Sequence, residues 1–134
     1  MTTAGDRPPH VLVLAAHGSR ADDANDAHRA LAHAVDRRVD LAVRPAFLEL
    51  AEPSITDAID AAVAGGASTV LVLPYFLHPG RHLRDHVPEL IAAAAARYPD
   101  RRIELADAFG DDHAIIDLLV DQVHRATGPG PEPG

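Results

Sequence analysis

HVLVLAAHGSR, residues 10–20, sets an apolar run from His10 to Ala16 directly against His17, Gly18, Ser19 and Arg20. The run reads as a buried strand. Beyond it, in ADDANDAHRALAHAVDRR, the residues Ala24, Ala27, Leu31 and Val35 recur at helical spacing. The chain therefore passes from strand to helix across a loop that carries a histidine. Gly18 and Ser19 suit the turn and the opening of the helix, so His17 reads either as a turn residue or as a functional one.

The same rhythm continues along the chain. LAVRPAFLEL, residues 41–50, reads as a second strand of about seven residues, and Pro45 assigns it to a sheet edge because proline cannot donate a ladder hydrogen bond. EPSITDAIDAAVAGGAS carries a clear helix signature. Ser54 is the N-cap with Asp57 three positions on, Ile55, Ile59, Ala62 and Val63 form the apolar face, and Gly65 and Gly66 are the stop.

TVLVLPYF, residues 69–76, is a continuous apolar strand of the kind covered on both faces. RDHVPELIAAAAARY then predicts a third helix, with Asp85 near its cap and Pro88 tolerated in its first turn. RIELADAF is the fourth strand. GDDHAIIDLLVDQVHRATG is the fourth helix, with Ile115, Ile116, Leu119, Val120 and Val123 on one face. The order βαβαβαβα implies an α/β domain of three layers, flavodoxin-like or Rossmann-like, with a four-stranded parallel sheet and helices on both faces. Residues 10–126 form the expected domain, and 1–9 and 127–134, rich in proline and glycine, are expected to be loose tails.

With 134 residues the chain holds one domain with a real core. The core is aliphatic, since aromatics make up only 4% of residues. A formal net charge of −8 argues against partnership with nucleic acid or anionic membranes. The absence of cysteine removes disulfides, thiolate metal sites and cysteine nucleophiles together. The N-terminal residues lack the apolar region of a signal peptide, and no stretch approaches a span of ~20 apolar residues, so a soluble cytoplasmic protein is expected.

In an open parallel sheet, ligands bind outside the carboxyl ends of the strands. There the chain places His17, Ser19 and Arg20 after strand one, and Glu49 and Glu52 after strand two. Tyr75, His78, Gly80, Arg81, His82 and Arg84 follow strand three, and Asp107, Gly110 and Asp111 follow strand four. Imidazoles and a carboxylate suit a borderline divalent cation such as Co²⁺, Fe²⁺, Ni²⁺ or Zn²⁺. They equally suit general acid and base work near neutral pH. Glu49 also reads as an ordinary surface carboxylate ahead of Ser54. His78, His82 and His86 recur every four residues, but Pro79 and Gly80 confine His78 to the loop, leaving His82 and His86 to share a helical face. His10, His28, His33, His113 and His124 read as structural or surface residues.

AHGSR after strand one, AFLELAEPSI across strand two and LPYFLHPGRHLRDHVPEL after strand three together resemble the class II chelatases of the CbiX and SirB type, which are sirohydrochlorin cobaltochelatases and ferrochelatases. The resemblance spans roughly residues 10–126. It implies that His17 and His82 bind the incoming metal and take part in removing protons from the macrocycle, with Glu49 as a third polar group. It favours His82 over His78 and implies a lyase of cobalamin or siroheme biosynthesis that uses Co²⁺ or Fe²⁺, or Ni²⁺, as substrate, with no organic cofactor. Metal insertion requires the ion to shed water while two pyrrole protons leave, and a neutral imidazole can serve both events.

The implied tetrapyrrole carries many carboxylates, which the protein's overall charge would repel. Local groups must reverse that sign, and Arg20, Arg81 and Arg84, with Ser19, Tyr75, Gly80 and the helix N-termini, are the expected substrate contacts. Larger chelatases have two such α/β halves, so this single half resembles the short form and is expected to work as a homodimer. Two other readings remain. A carrier would bind metal or tetrapyrrole through the same loops without turnover. A histidine-dependent phosphatase would have arginine before its nucleophile, where this chain has Ala16.

Overall fold

The computed structural model describes residues 9–128. Its elements are β1 (His10–Ala16), α1 (Asp22–Asp36), β2 (Ala42–Phe47), α2 (Ile55–Ala64), β3 (Thr69–Pro74), α3 (Arg81–Arg97), β4 (Arg102–Leu105) and α4 (Ala114–Thr127). A short 3₁₀ turn at Phe109–Asp111 stands between the last two. All pairs are parallel and the strand order is β2-β1-β3-β4. The expected α/β architecture is thus observed, and the expected tails fall almost wholly outside the described residues.

The β-branched runs of β1 and β3 lie at the centre because both sheet faces there are covered. On one face Val13, Ala15, Val70, Val72 and Ile103 pack against Ile55, Ala58 and Ile59 of α2 and Ile91 and Ala94 of α3. On the other, Leu14 and Val43 meet Ala32 of α1, with Leu31, Val35 and Leu73 at the margin. Burying one such Ile or Leu side chain stabilises the fold by about 1.5–3 kcal/mol. Alanines at the contact points let helix and sheet approach closely.

Proline governs two places. In β2, Leu48 donates inward to Ala16 O, while Val43 donates to the Asp36 carboxylate at 2.8 Å and Phe47 to Pro53 O at 2.9 Å. Pro45 alternates in step with Val43 and Phe47, so its missing N–H falls on the outer side of an edge strand, as its chemistry requires. Pro88 departs from expectation. The helix begins at Arg81 with Gly80 as N-cap, not near Asp85, so Pro88 lies in the interior and leaves the Arg84 carbonyl without its i+4 donor. The apolar contacts of Val87, Ile91 and Ala94 hold the helix across that gap.

β4 is four residues long, shorter than RIELADAF suggested, because the chain turns away at Ala106 and folds into the 3₁₀ turn. α4 carries the expected apolar stripe but buries none of its residues. Ile116, Leu118, Leu119, Val120 and Val123 are all exposed.

Candidate active site

The loop after β1 is locked to β2 by backbone hydrogen bonds. Leu48 N–H donates to Ala16 O at 2.8 Å and Glu49 N–H to His17 O at 3.1 Å, so pairing runs past the ends of both strands. This extension sets Glu49 beside His17, with Nε2 and Oε1 3.8 Å apart. Gly18 makes the approach possible. Its φ is +97°, and a Cβ there would stand 1.7 Å from the Glu49 carbonyl oxygen. Both candidate side chains are about half exposed, at 51% and 56%, and open to solvent.

Ser19 turns inward to the loop. Its hydroxyl accepts from Ala21 N–H at 3.0 Å, and its backbone exchanges two hydrogen bonds with the buried Asn25 side chain. Ser19 therefore shapes the entry to α1. Arg20 beside it is exposed and has no partner among the described residues.

Tyr75 leaves β3 with its N–H donating to Ala15 O at 2.6 Å. Its ring lies between His28, at 5.9 Å and nearly parallel, and Phe109, at 4.9 Å. His28 is itself buried, donates from Nε2 to Leu14 O at 2.9 Å, and meets Phe47 edge-on. His17, Tyr75, Phe76, His78 and Phe109 line a common cavity of about 390 Å³. A larger one, of about 760 Å³, lies between β2 and α2 at the opposite edge of the sheet and is lined by none of the candidate residues. The candidate polar groups gather instead at the carboxyl edge of the sheet, where ligands bind in open parallel sheets.

Gly80 caps α3, and Arg81 and His82 form its first turn, all three exposed. The His82 ring stacks on His86, 5.6 Å away. Among the described residues no three His, Asp or Glu side chains converge closely enough to hold one ion, so His82 stands apart from the His17 and Glu49 pair. Arg84 is engaged elsewhere. It makes a two-pronged contact with Asp111, at 3.1 and 3.3 Å, and donates to Pro79 O. The hydrogen bonds from Arg84 hold the Asp111 carboxyl below its ordinary value, and Asp111 raises that of Arg84. Arg84 thus ties the β4 loop to α3, whereas Arg20 and Arg81 are exposed and show no ion pair among the described residues.

Three contributors escaped the reading of motifs. Asn25 holds the His17 loop, His28 supports Tyr75, and Phe109 closes the apolar wall. Only His28 left a sequence signal, as a polar residue one position from the alanine stripe of α1. Gly110 allows the last of these contacts, since a Cβ there would lie 1.8 Å from Leu77 O.

The chain is similar to known proteins over nearly all of the described residues. The family model CbiX matches residues 11–126. A sirohydrochlorin ferrochelatase of Priestia megaterium is 29% identical over 115 residues, covering 85% of this chain and 43% of that protein. A sirohydrochlorin cobaltochelatase of Saccharolobus solfataricus is 30% identical over 120 residues, covering 85% of this chain and 93% of its own. The crystal structure of the sirohydrochlorin chelatase SirB from Bacillus subtilis subspecies spizizenii in complex with cobalt superposes with a TM-score of 0.76 at 30% identity, over 87% of this chain and 50% of that one. The chain thus spans about half the length of the ferrochelatase relative and nearly all of the archaeal cobaltochelatase. The family model's match over nearly the whole described domain decides the lineage: the chain belongs to the CbiX family.

Proposed function

We propose that this chain inserts a divalent metal, Co²⁺ or Fe²⁺, into sirohydrochlorin. The observation that carries the reading is the half-exposed pair of His17 Nε2 and Glu49 Oε1, 3.8 Å apart at the carboxyl edge of the sheet. The relatives' names as sirohydrochlorin chelatases support the substrate. His17 and His82, the latter in the first turn of α3, hold the ion transiently and accept the two pyrrole protons as it passes into the macrocycle, and Glu49 stabilises the imidazolium formed at His17. Tyr75 and Phe109 offer an apolar wall to the macrocycle, and Arg20 and Arg81 meet its carboxylates.

The working form in this proposal is a homodimer in the cytoplasm. Among the described residues no helix is long and apolar enough to cross a membrane. The apolar stripe of α4 supports self-association, since Ile116, Leu119 and Val123 are more than half exposed and monomers rarely leave such a contiguous patch in water. A second copy also supplies the other wall for a flat macrocycle.

The test is metal insertion itself, followed by absorbance with sirohydrochlorin and Co²⁺ or Fe²⁺. Wild type accelerates insertion over the spontaneous reaction, and His17→Ala loses at least about a hundredfold of that rate. Tight binding without acceleration would replace the enzyme by a carrier, and turnover of p-nitrophenyl phosphate would replace it by a phosphatase.

A further inference from the structure

The flank of α3 that leads away from the site carries two imidazoles and a carboxylate that the insertion chemistry does not use together. His82, His86 and Glu89 follow one another at intervals of four and three residues, which aligns them on one face of the helix. The rings of His82 and His86 lie 5.6 Å apart and within 6° of parallel. Glu89 Oε2 stands 3.9 Å from His86 Nδ1. The side chains of His86 and Glu89 are 41% and 77% exposed, and His82 is exposed as well.

We infer that His86, with His82 and Glu89, forms a capture site that takes a divalent cation from solvent before it reaches His17 and Glu49. Two histidines one helical turn apart are a recurrent chelating pair, because both imidazoles project from the same side of the helix. A carboxylate one turn further adds a harder donor and offsets the cation's charge, and the set suits Co²⁺, Ni²⁺ and Zn²⁺. The donors do not meet at one point in the structure. Rotation of exposed side chains brings the two rings onto a common ion, with water filling the remaining positions.

Position gives the pair its purpose. His82 is the second residue of α3, directly after the loop that leaves β3, whereas His86 and Glu89 lie further along the helix. His82 is therefore the member of the outer set next to the loop that leaves β3, and an ion held by His86 and His82 moves inward by passing from His82 to the His17 and Glu49 pair. The direction of transfer rests on the chelatase reading, but capture of the ion does not.

The experiment titrates Co²⁺ alone into wild type, His86→Ala, Glu89→Gln and His17→Ala, with no tetrapyrrole present, and follows affinity by calorimetry and the cobalt ligand-field bands by absorbance. Because His86 and Glu89 are solvent-facing, circular dichroism of their variants should match wild type. His86→Ala weakens Co²⁺ binding at least about tenfold and changes the bands, Glu89→Gln has a smaller effect in the same direction, and His17→Ala leaves the outer site bound. Insertion assays then show KM for metal raised in His86→Ala, with kcat and the KM for sirohydrochlorin unchanged. Co²⁺ binding by His86→Ala equal to wild type overturns the capture site even if insertion is normal. Binding that depends on His86 in a protein with no insertion activity keeps the site and removes the chelatase reading instead.

Discussion

Helices α2 and α4 look alike as sequence and differ in what they touch. In α2 the cap is made as its residues demand, with Asp57 N–H donating to Ser54 Oγ at 3.0 Å. Its face is spent on the core, where Ile55, Ala58 and Ile59 are buried. α4 is longer and its stripe is as regular, yet every one of its large apolar side chains but Ile115 is at least 44% exposed. Helical period shows that a face exists. It does not show whether the same chain or another molecule covers it.

Substitutions can break that contrast, and the largest effect falls on α2. Ile59→Ala opens a cavity under both α2 and α3 and should lower stability by about 2–5 kcal/mol in urea unfolding. The paired substitutions Leu119→Asp and Val123→Asp should leave the isolated fold within about 0.5 kcal/mol of wild type. They should shift sedimentation from two copies to one, and a protein that already sediments as a monomer refutes the role proposed for α4. Ser54→Ala removes the α2 cap for about 1 kcal/mol. The smallest effect concerns the tie between α2 and α3, where Tyr98 and Arg97 donate to Asp60 at 2.7 and 2.9 Å.

Those bonds, Tyr98 first, hold the Asp60 carboxyl below its ordinary value of 3.8. A carboxyl lowered on folding stabilises the protein fully above its unfolded value, and that support disappears as pH falls through the folded one. Asp60→Asn should therefore flatten the acid side of the stability curve below about pH 4 and cost less than about 1 kcal/mol at neutrality, because the pair is solvent-exposed.

The fold was legible where local chemistry and tertiary packing agree. The β-branched runs, Ser54, the Gly65 and Gly66 stop and Pro45 each specify a backbone state that the sheet also requires. The start of α3 was misread because Pro88 normally marks a first turn, and packing of Val87 and Ile91 outweighs that preference here. At the site, His17 and Glu49 were readable from their places at successive strand ends. Their pairing was not, since it depends on two backbone hydrogen bonds and on a glycine that lets the Glu49 carbonyl pass. The pairing of Arg84 with Asp111 was not legible either, because the two are distant in sequence and meet only through the 3₁₀ turn.

The outer side of β2 has a consequence for the protein at high concentration. An exposed parallel edge is a template onto which a foreign strand can add, and such addition begins many aggregates. Here Val43 gives its proton to Asp36, Pro45 has none, and Phe47 gives its own to Pro53. An arriving strand meets no vacant donor from Val43 to Phe47. An added strand would find no donor along that stretch of β2, which disfavours growth of the sheet in that direction.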